Sequence, residues 1–483
     1  MSSRAGSESP LQFLRPDGQP PSSPAFDELV SLIRRYDRPG PRYTSYPTAV
    51  EFNEAFDETA YRAQLAQAAG AATPLSLYLH LPFCEERCSF CGCSVIITKK
   101  REVAAHYLSY LHRELAMLGD ALGRRRQVVQ YHWGGGTPTY LSLAEIASLQ
   151  QVVTKHFDIQ PGAEVAIEVD PRVTTVDQLS LLREIGFNRL SMGVQDFTPE
   201  VQQAVNRIQS EPLTRELLQA ARRLGFQSIN IDLIYGLPFQ TRASFGRTVD
   251  AVVAMRPDRV AVYSYAHVPW IRGHQKALNP EDLPAAERKI ELFVEAMERF
   301  RAAGYDQIGM DHFALPSDEL AIASAAGRLH RNFMGYTTRP APDMLAAGVS
   351  GIGDVCGAFA QNTKKLSAYY AAIDAGRFPI ERGYQLDQDD HIRRYVIANL
   401  MCNFRIEVRE VEARFPVAFA TYFADELGEL AAGPAADGFV GLEAGTITVT
   451  PIGRLFVRNV AMIFDRHLRT RAVAATPVFS RTI

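Results

Sequence analysis

This sequence has no long apolar run and little net charge. No stretch approaches the ~20 consecutive apolar residues that a transmembrane helix needs. Its 51 basic residues nearly balance 54 acidic ones, for a formal charge of −3, so the composition provides no basic surface for nucleic acid or an anionic membrane. We therefore expect neither a nucleic-acid partner nor stable membrane insertion.

The first 24 residues, MSSRAGSESPLQFLRPDGQPPSSP, lack the features of a targeting segment. They contain no apolar core like that of a signal peptide, and their acidic residues argue against a transit peptide. Their proline, serine and glycine content predicts a disordered tail over residues 1–24. We expect a cytoplasmic protein.

Cysteine is scarce and unevenly distributed. The chain has only six, and four of them fall within ten residues: Cys84, Cys88, Cys91 and Cys93. A secreted disulfide scaffold would spread its cysteines along the chain. A tight cluster in a reducing compartment is more typical of metal binding or redox chemistry.

The 483 residues are too many for one small domain, and the pattern predicts three parts after the tail. Residues 25–72 form an N-terminal arm. Its segment YDRPGPRYTSYPT combines three prolines, which disfavour regular structure, with three tyrosines, which favour burial, so we expect it to be extended and packed on a larger body. Residues 73–380 form the main domain. Residues 381–483 form a helix-rich C-terminal domain with one hairpin at GFVGLEAGTITVT.

The main domain alternates between strand-like and helical patterns. Apolar runs occur at LSLYLHL, VVQYHW, AEVAIEV, FNRLSMGV, SINIDLIYG and RVAVYSYA, and amphipathic stretches at 102–118, 142–156, 211–224 and 283–303. Near-continuous apolar strands separated by helices indicate a parallel sheet covered on its faces. Six such units predict an α/β fold with a full or partial TIM-type barrel, whose active site lies at the carboxyl ends of the strands.

The spacing Cys84-x3-Cys88-x2-Cys91 directly follows the first of these strands. Three thiolates cannot complete a tetrahedral zinc site alone, but they can hold a [4Fe–4S] cluster by three corners and leave one iron open. A zinc site or an electron-transfer site is the alternative. Cys93 either completes a zinc site or simply packs, and we leave it out of the metal-binding set.

Glycines and polar side chains follow the later strands. The second strand runs into WGGGTP at 133–138, where glycine lets the backbone approach a ligand, although the GxGxxG dinucleotide fingerprint is absent. Glu168, Gln195 and Asp232 lie at the ends of the next three strands. Each alone fits a satisfied buried polar group, but three in series favour a ligand site.

The segments GPRYTSYPT, LYLHLPFCEERCSFCGC, HWGGGTPTYL, EVDPR, RLSMGVQDF, NIDLIYGLP, GMDHFA, LHRNF and MCNFR occur in this order. Together they resemble the oxygen-independent coproporphyrinogen III oxidases (coproporphyrinogen dehydrogenases) of the radical-SAM superfamily, from residue 33 onward. The arm and the CGC ending of the cysteine motif are the parts that other radical-SAM proteins lack.

This resemblance implies a [4Fe–4S] cluster on Cys84, Cys88 and Cys91, with Cys93 not a ligand, and two molecules of S-adenosylmethionine. Carried across residue by residue, the contacts of the first molecule are Tyr78, Gly135, Glu168 and Ile352. Those of the second are Phe90, Gly136, Thr137, Gln195, Arg207, Asp232 and Ala266. Ala266 has no polar side chain and enters only through the resemblance.

The resemblance also implies the reaction, in which two propionate side chains of coproporphyrinogen III become vinyl groups and give protoporphyrinogen IX without oxygen. A 5′-deoxyadenosyl radical removes the hydrogen atom, so we expect no side chain to act as catalytic acid or base. The implied partners are the substrate and an external low-potential electron donor, and the implied state is a monomer. Residues suited to carboxylates or to the macrocycle are Arg38, Arg42, Tyr43, Tyr46, Arg331 and Arg405.

Two questions stay open from the sequence. The alternative function is a haem-binding chaperone on the same scaffold, although such relatives lack the arm and usually the CGC ending. The family reads Asn-Phe-Gln-Gly-Tyr where this chain has Met334, whose thioether cannot hydrogen-bond as an amide does. This replacement is either tolerated or changes binding at the site.

Overall fold

The computed structural model describes residues 31–471 and 478–482. Its strands are β1 Leu75–Leu81, β2 Phe83–Cys84, β3 Ile96–Ile97, β4 Gln127–Gly135, β5 Asp158–Val169, β6 Arg189–Gln195, β7 Ser228–Tyr235, β8 Arg259–Ser264, β9 Asp306–Ile308, β10 His312–Ala314, β11 His330–Asn332, β12 Gly335–Thr337, β13 Asp343–Ala347, β14 Ile352–Val355, β15 Ala358–Asn362, β16 Ile380–Gln385, β17 Arg405–Glu407, β18 Val440–Glu443 and β19 Thr446–Val449.

A helical stretch at residues 31–36 precedes the numbered helices. The α-helices are α1 Glu58–Ala69, α2 Arg101–Leu122, α3 Leu143–His156, α4 Val176–Glu184, α5 Pro199–Ala204, α6 Glu211–Arg223, α7 Arg242–Met255, α8 Ala286–Ala302, α9 Glu319–Ala325, α10 Leu366–Asp374, α11 Gln388–Asn403, α12 Val408–Arg414, α13 Phe419–Tyr422, α14 Ala424–Leu430, α15 Val457–Ile463 and α16 Arg466–Thr470. In the described part of the chain, no helix is both long enough and apolar enough to cross a membrane.

Twelve strands form one sheet in the order β16-β15-β14-β13-β1-β4-β5-β6-β7-β8-β10-β9. Its seven central strands, β13, β1 and β4 to β8, pair in parallel. The outer strands pair antiparallel. Among the described residues the two edge strands, β16 and β9, do not pair with each other, so the sheet is an open, partial barrel. The predicted α/β fold with a partial TIM-type barrel is confirmed.

The six apolar runs predicted as strands are β1 and β4 to β8. The four amphipathic stretches overlap α2, α3, α6 and α8, and α2 extends beyond its stretch at both ends. Local signals set several boundaries. At the start of α3, Ser142 and Glu145 form a reciprocal capping box. β1 is buried along most of its length, as its apolar run requires, whereas β6 alternates between buried and partly buried residues. Trp133 of β4 is fully buried and packs edge-on against Phe187 at 5.0 Å.

The C-terminal region contains helices α11 to α16 around the three-stranded sheet β17-β19-β18, and includes the predicted hairpin. The arm packs on it. Tyr43 and Tyr46 lie in its apolar cluster, and the Tyr43 hydroxyl donates to Asp465 at 2.8 Å. The segment around these two tyrosines is thus packed as expected, while the bounds of the arm, 25–72, stay a prediction. The division at residue 380 stays a prediction, since the main sheet continues through β16 to Gln385, and the predicted tail over 1–24 lies outside the described residues.

Candidate functional site

The cysteine motif lies where β1 ends. β2 carries Cys84, and the loop after it carries the other three cysteines. Backbone contacts hold this loop in place: Cys91 N–H donates to Cys88 O at 3.1 Å, and His274 Nε2 lies 2.8 Å from Cys91 O. The Cys84 thiol lies 3.5 Å from the Thr137 hydroxyl and lines a cavity of about 370 Å³. The loop is therefore preorganised next to the glycine-rich end of β4.

Two arginines point at Cys88. Arg207 Nη1 lies 3.6 Å and Arg172 Nη2 3.8 Å from the Cys88 sulfur. Asp170, directly after β5, holds both guanidinium groups at 2.9 and 2.7 Å. Two cations therefore lie beside a sulfur that would bind iron as a thiolate.

The glycines after Trp133 are required by close packing. Gly135 has φ +114°, and a Cβ there would lie 2.5 Å from the His80 ring. A Cβ on Gly136 would lie 2.6 Å from the carbonyl carbon of Pro82. Gly136 N–H donates to Leu81 O at 2.9 Å, which ties this strand end to the start of the cysteine loop.

Glu168, near the end of β5, faces the same region. Its carboxylate lies 3.3 Å from His132 Nε2 and accepts from Gly135 N–H at 3.2 Å. Burial works against the charge, but these two hydrogen bonds more than offset it and lower the pKa of Glu168. Tyr78 stacks on His132 with ring centres 5.9 Å apart. Glu168 is therefore an ionised carboxylate, suited to an ammonium group.

Asp232 shares a cavity of about 130 Å³ with Glu168, inside the barrel. It accepts hydrogen bonds from Ser191 at 3.0 Å and from Asn230 at 2.8 Å. Burial, together with the charge of Glu168, raises the pKa of Asp232 to about 6. Met334 lines the same cavity, so the departure noted in the sequence lies inside the barrel.

Gln195 and Arg207 meet beside Gly193. A Cβ on Gly193 would lie 2.9 Å from Gln195 Nε2 and 3.3 Å from Arg207 Nη2. Gln195 has a positive φ of 73°, and its buried Oε1 has no hydrogen-bond partner. Arg207 Nε is also buried and unpartnered. Such groups are expected where a polar ligand completes the site.

Three further predicted residues lie around the edge of the site. The backbone carbonyls of Phe90 and Ala266 are joined by Gln275 Nε2, which donates to each at 3.2 Å. Ile352 begins β14, on the opposite side of β1 from the glycines. Ile352 packs against an apolar cluster that includes Phe359.

The sequence reasoning missed Arg172 and Gln275. Arg172 belongs to the quoted segment EVDPR, and its position two residues after Asp170 at a strand end was a usable signal. Gln275 is 1% exposed and lies in a short 3₁₀ turn, where nothing in the local pattern marks it.

The residues proposed for substrate binding separate into groups. Tyr43 and Tyr46 are 6% and 2% exposed inside the C-terminal cluster, so they present no open aromatic face. Arg405 is paired with Glu407 on the surface. Arg38 is also exposed. Arg331 and Arg42 are neighbours in the structure, since Arg331 Nη1 donates a hydrogen bond to the backbone carbonyl of Arg42 at 3.0 Å.

Comparison with known proteins bears directly on this site. The profile of the Radical SAM superfamily matches residues 78–252, and that of the HemN C-terminal domain matches 386–456. The oxygen-independent coproporphyrinogen III oxidase of Escherichia coli is 47% identical over 454 residues, which cover 94% of this chain and 98% of the relative. This chain belongs to the oxygen-independent coproporphyrinogen III oxidase family. The family predicted from the sequence is confirmed.

Other members of this family agree. The oxygen-independent coproporphyrinogen III oxidase of Pseudomonas aeruginosa is 46% identical over 441 residues, 91% of this chain and 96% of the relative. The structure of the Escherichia coli coproporphyrinogen III oxidase, described as a radical SAM enzyme, superposes with a TM-score of 0.86 at 46% identity. The match covers 91% of this chain and 98% of that one. The haem-chaperone alternative is not favoured.

Membership in the radical-SAM superfamily implies a [4Fe–4S] cluster and S-adenosylmethionine, and the side chains fit both. Within the described ranges, no three histidine, cysteine or carboxylate side chains converge on a single metal ion. A cubic cluster instead takes each thiolate on a different iron atom. For the amino and carboxylate groups of S-adenosylmethionine, the ionised Glu168 and the unpartnered Arg207 Nε are complementary.

Proposed function

We propose that this chain catalyses the oxygen-independent oxidative decarboxylation of coproporphyrinogen III to protoporphyrinogen IX. The observation that carries the proposal is the meeting of three elements at the carboxyl ends of the barrel strands. These elements are the CxxxCxxC loop, the glycine-rich end of β4 and the carboxylate of Glu168. Similarity over nearly the whole length of the curated oxidases supports the substrate.

Cys84, Cys88 and Cys91 are the proposed ligands of the cluster. When bound and reduced, the cluster and S-adenosylmethionine supply a 5′-deoxyadenosyl radical, which can remove a hydrogen atom from an unactivated carbon. The protein positions and shields these groups. Arg172 and Arg207, oriented by Asp170, place two positive charges beside the Cys88 sulfur.

We propose two S-adenosylmethionine molecules. The first contacts Tyr78, Gly135, Glu168 and Ile352, and the second contacts Phe90, Gly136, Thr137, Gln195, Arg207, Asp232 and Ala266. The unpartnered atoms of Gln195 and Arg207 support a second polar ligand on their side of the barrel. Glu168 and Asp232 act as binding groups rather than as acid–base catalysts.

In each conversion of a propionate to a vinyl group, the radical would take one hydrogen atom, and the substrate would then lose carbon dioxide and one electron. We propose an external low-potential donor, which would reduce the cluster before each turnover, and a separate final acceptor for the electron that the substrate loses. We also propose a cytoplasmic monomer, and the six unpaired cysteines suit a reducing compartment.

The main test is an anaerobic assay of the reconstituted protein with coproporphyrinogen III, S-adenosylmethionine and a low-potential reductant. We expect a vinyl-bearing tetrapyrrole, resolved by chromatography, together with 5′-deoxyadenosine. Deoxyadenosine without tetrapyrrole conversion would refute the substrate and leave the radical chemistry intact. Haem binding by the same preparation would then support a chaperone.

Cys88→Ser tests the cluster ligands. We expect this variant to lose bound iron and to form no 5′-deoxyadenosine, because a serine hydroxyl is a poor ligand for the cluster. Cys356→Ser, a change of the same kind at a cysteine that touches none of these groups, should keep both. Iron content and deoxyadenosine yield equal in the two variants would contradict the ligand assignment.

Gln195→Ala tests the second cofactor. Equilibrium dialysis with labelled S-adenosylmethionine should give two molecules bound per parent chain and one per variant chain, with unchanged iron. The same stoichiometry and affinity in both proteins would rule out this role for Gln195.

A further inference from the structure

A third cavity, of about 60 Å³, lies outside the barrel where the arm, the main domain and the C-terminal region meet. It lies at the carboxyl ends of β7 and β8, against α8 and the residues that lead into α15. Val262, Ile290, Phe293 and Leu455 give it an apolar wall. At roughly 10–15 Å³ for each water, its volume suits a short chain rather than a ring.

Arg458 contributes a buried positive charge to this cavity and is only 8% exposed. Its guanidinium donates to the carbonyl oxygens of Pro41 and Thr482, both at 2.9 Å, and of Gly40. These contacts tie the arm to the C-terminal region. They satisfy its hydrogen bonds but bring no negative charge.

Arg42 and Arg454 also line the cavity. Arg42 donates to the carbonyl of Ser264, and Arg454 lies over the Phe404 ring at 4.4 Å. Arg454 Nε is buried without a hydrogen-bond partner. Across the described residues, none of the three cavity arginines has a carboxylate within ion-pair distance.

Positive charge therefore predominates among the residues described at this cavity. The one carboxylate among them, Asp311, is held by His312 Nδ1 at 2.6 Å. Burial, reinforced by the nearby Arg42, lowers the pKa of Arg458 to about 9. Buried charges are costly unless they are paired, so a cavity with three arginines and a free donor suits an anion.

We propose that this cavity binds a carboxylate attached to a short apolar chain, with the carboxylate on Arg454 and Arg42 and the chain against the apolar wall. This proposal rests on the proposed function. The ligand is a propionate side chain of the tetrapyrrole, and it is one of the propionates that are not being decarboxylated. Val262 and Ser264 line this cavity, and Tyr263 between them lines the barrel cavity beside Asp232. Strand β8 thus separates the bound propionate from the cavity inside the barrel.

The test compares Arg454→Gln with Arg454→Lys, which keeps the charge, and with Arg409→Gln at an exposed position of the same region. Binding of coproporphyrin III and of its tetramethyl ester to reconstituted enzyme is followed anaerobically by fluorescence. A charge-assisted hydrogen bond predicts about 10- to 100-fold weaker binding of the free acid by Arg454→Gln. The ester should bind all variants equally, and the other two variants should stay close to the parent.

Arg454→Gln should also raise the KM for coproporphyrinogen III while leaving S-adenosylmethionine binding and iron content unchanged. Its melting temperature without ligand should equal or exceed that of the parent, because an unpaired buried charge has been removed. A lower melting temperature together with weaker ester binding would show a structural role and overturn the proposal.

Free propionate at millimolar concentration separates the two sources of the carboxylate. If it raises the melting temperature of the parent but not of Arg454→Gln, and both bind coproporphyrin III equally, the site binds a free carboxylate and the tetrapyrrole assignment is wrong. Equal responses to both ligands would overturn the site. Absence of coproporphyrinogen conversion by the parent would refute the proposed function, while the propionate measurement would still test the cavity.

Discussion

Replacing Gly136 by alanine should displace the segment that carries Cys84. A Cβ at this position would lie 2.6 Å from the carbonyl carbon of Pro82 and 2.7 Å from the carbonyl oxygen of Phe83. Both are backbone atoms and cannot rotate away as a side chain would. Since ordinary contacts begin near 3.4 Å, the segment must move by several tenths of an ångström.

The cost follows from the contacts that this movement disturbs. Overpacking against a fixed neighbour costs about 1–3 kcal/mol. The hydrogen bonds from Gly136 N–H to Leu81 O (2.9 Å) and from Thr137 N–H to Phe83 O (2.8 Å) weaken as well. At about 0.5–1.5 kcal/mol for each bond, we expect a total of about 2–6 kcal/mol. For a chain of 483 residues, this lowers the melting temperature by about 2–6 °C.

The assay measures iron and sulfide per chain after anaerobic reconstitution, together with the melting temperature. We expect Gly136→Ala to lose at least half of its cluster, because Cys84 moves away from the other two thiolates. Gly92→Ala is the matched control, since Gly92 lies between Cys91 and Cys93 and an added Cβ meets nothing within 4 Å. Full iron content and parental stability in Gly136→Ala, or equal losses in both variants, would refute the reasoning.

Two further predictions concern buried carboxylates. Asp170→Asn removes the partner that Arg172 and Arg207 hold at 2.7 and 2.9 Å; a broken buried pair costs about 3–5 kcal/mol, so calorimetry should show a lower melting temperature, and an unchanged value would contradict the ion pairs. Burial raises the pKa of Glu114 to about 7, so between its ordinary pKa and pH 7 only the folded state keeps this proton and the parent loses stability as the pH rises. Glu114→Gln has no such loss. Its free energy of unfolding relative to that of the parent should therefore rise by about 3 kcal/mol between pH 4.5 and pH 8. A difference in melting temperature that does not change with pH would show that Glu114 does not titrate in this range.

The sequence by itself determined the features that depend on neighbouring residues. The spacing of Cys84, Cys88 and Cys91 sets which thiolates can share a cluster, and the apolar runs set the six central strands. Glu168 and Gln195 could be predicted as candidate site residues because parallel strands place their carboxyl ends at one edge of the sheet, whereas Asp232 lies inside β7 rather than at its end. These inferences need only local periodicity and the direction of the chain.

Only the tertiary structure decided which distant segments meet. Gln275 contacts Phe90 across 185 positions of the sequence while it also binds the carbonyl of Ala266, and no local pattern encodes the contact with Phe90. The aromatic rings of Tyr43 and Tyr46 suited a macrocycle by composition, but the fold buries them against the C-terminal helices. In the same way, Arg42 and Arg458 share a cavity because the arm crosses the C-terminal region. Charge balance, burial and cavity shape depend on contacts between segments that are distant in the sequence, and these contacts exist only once the chain has folded.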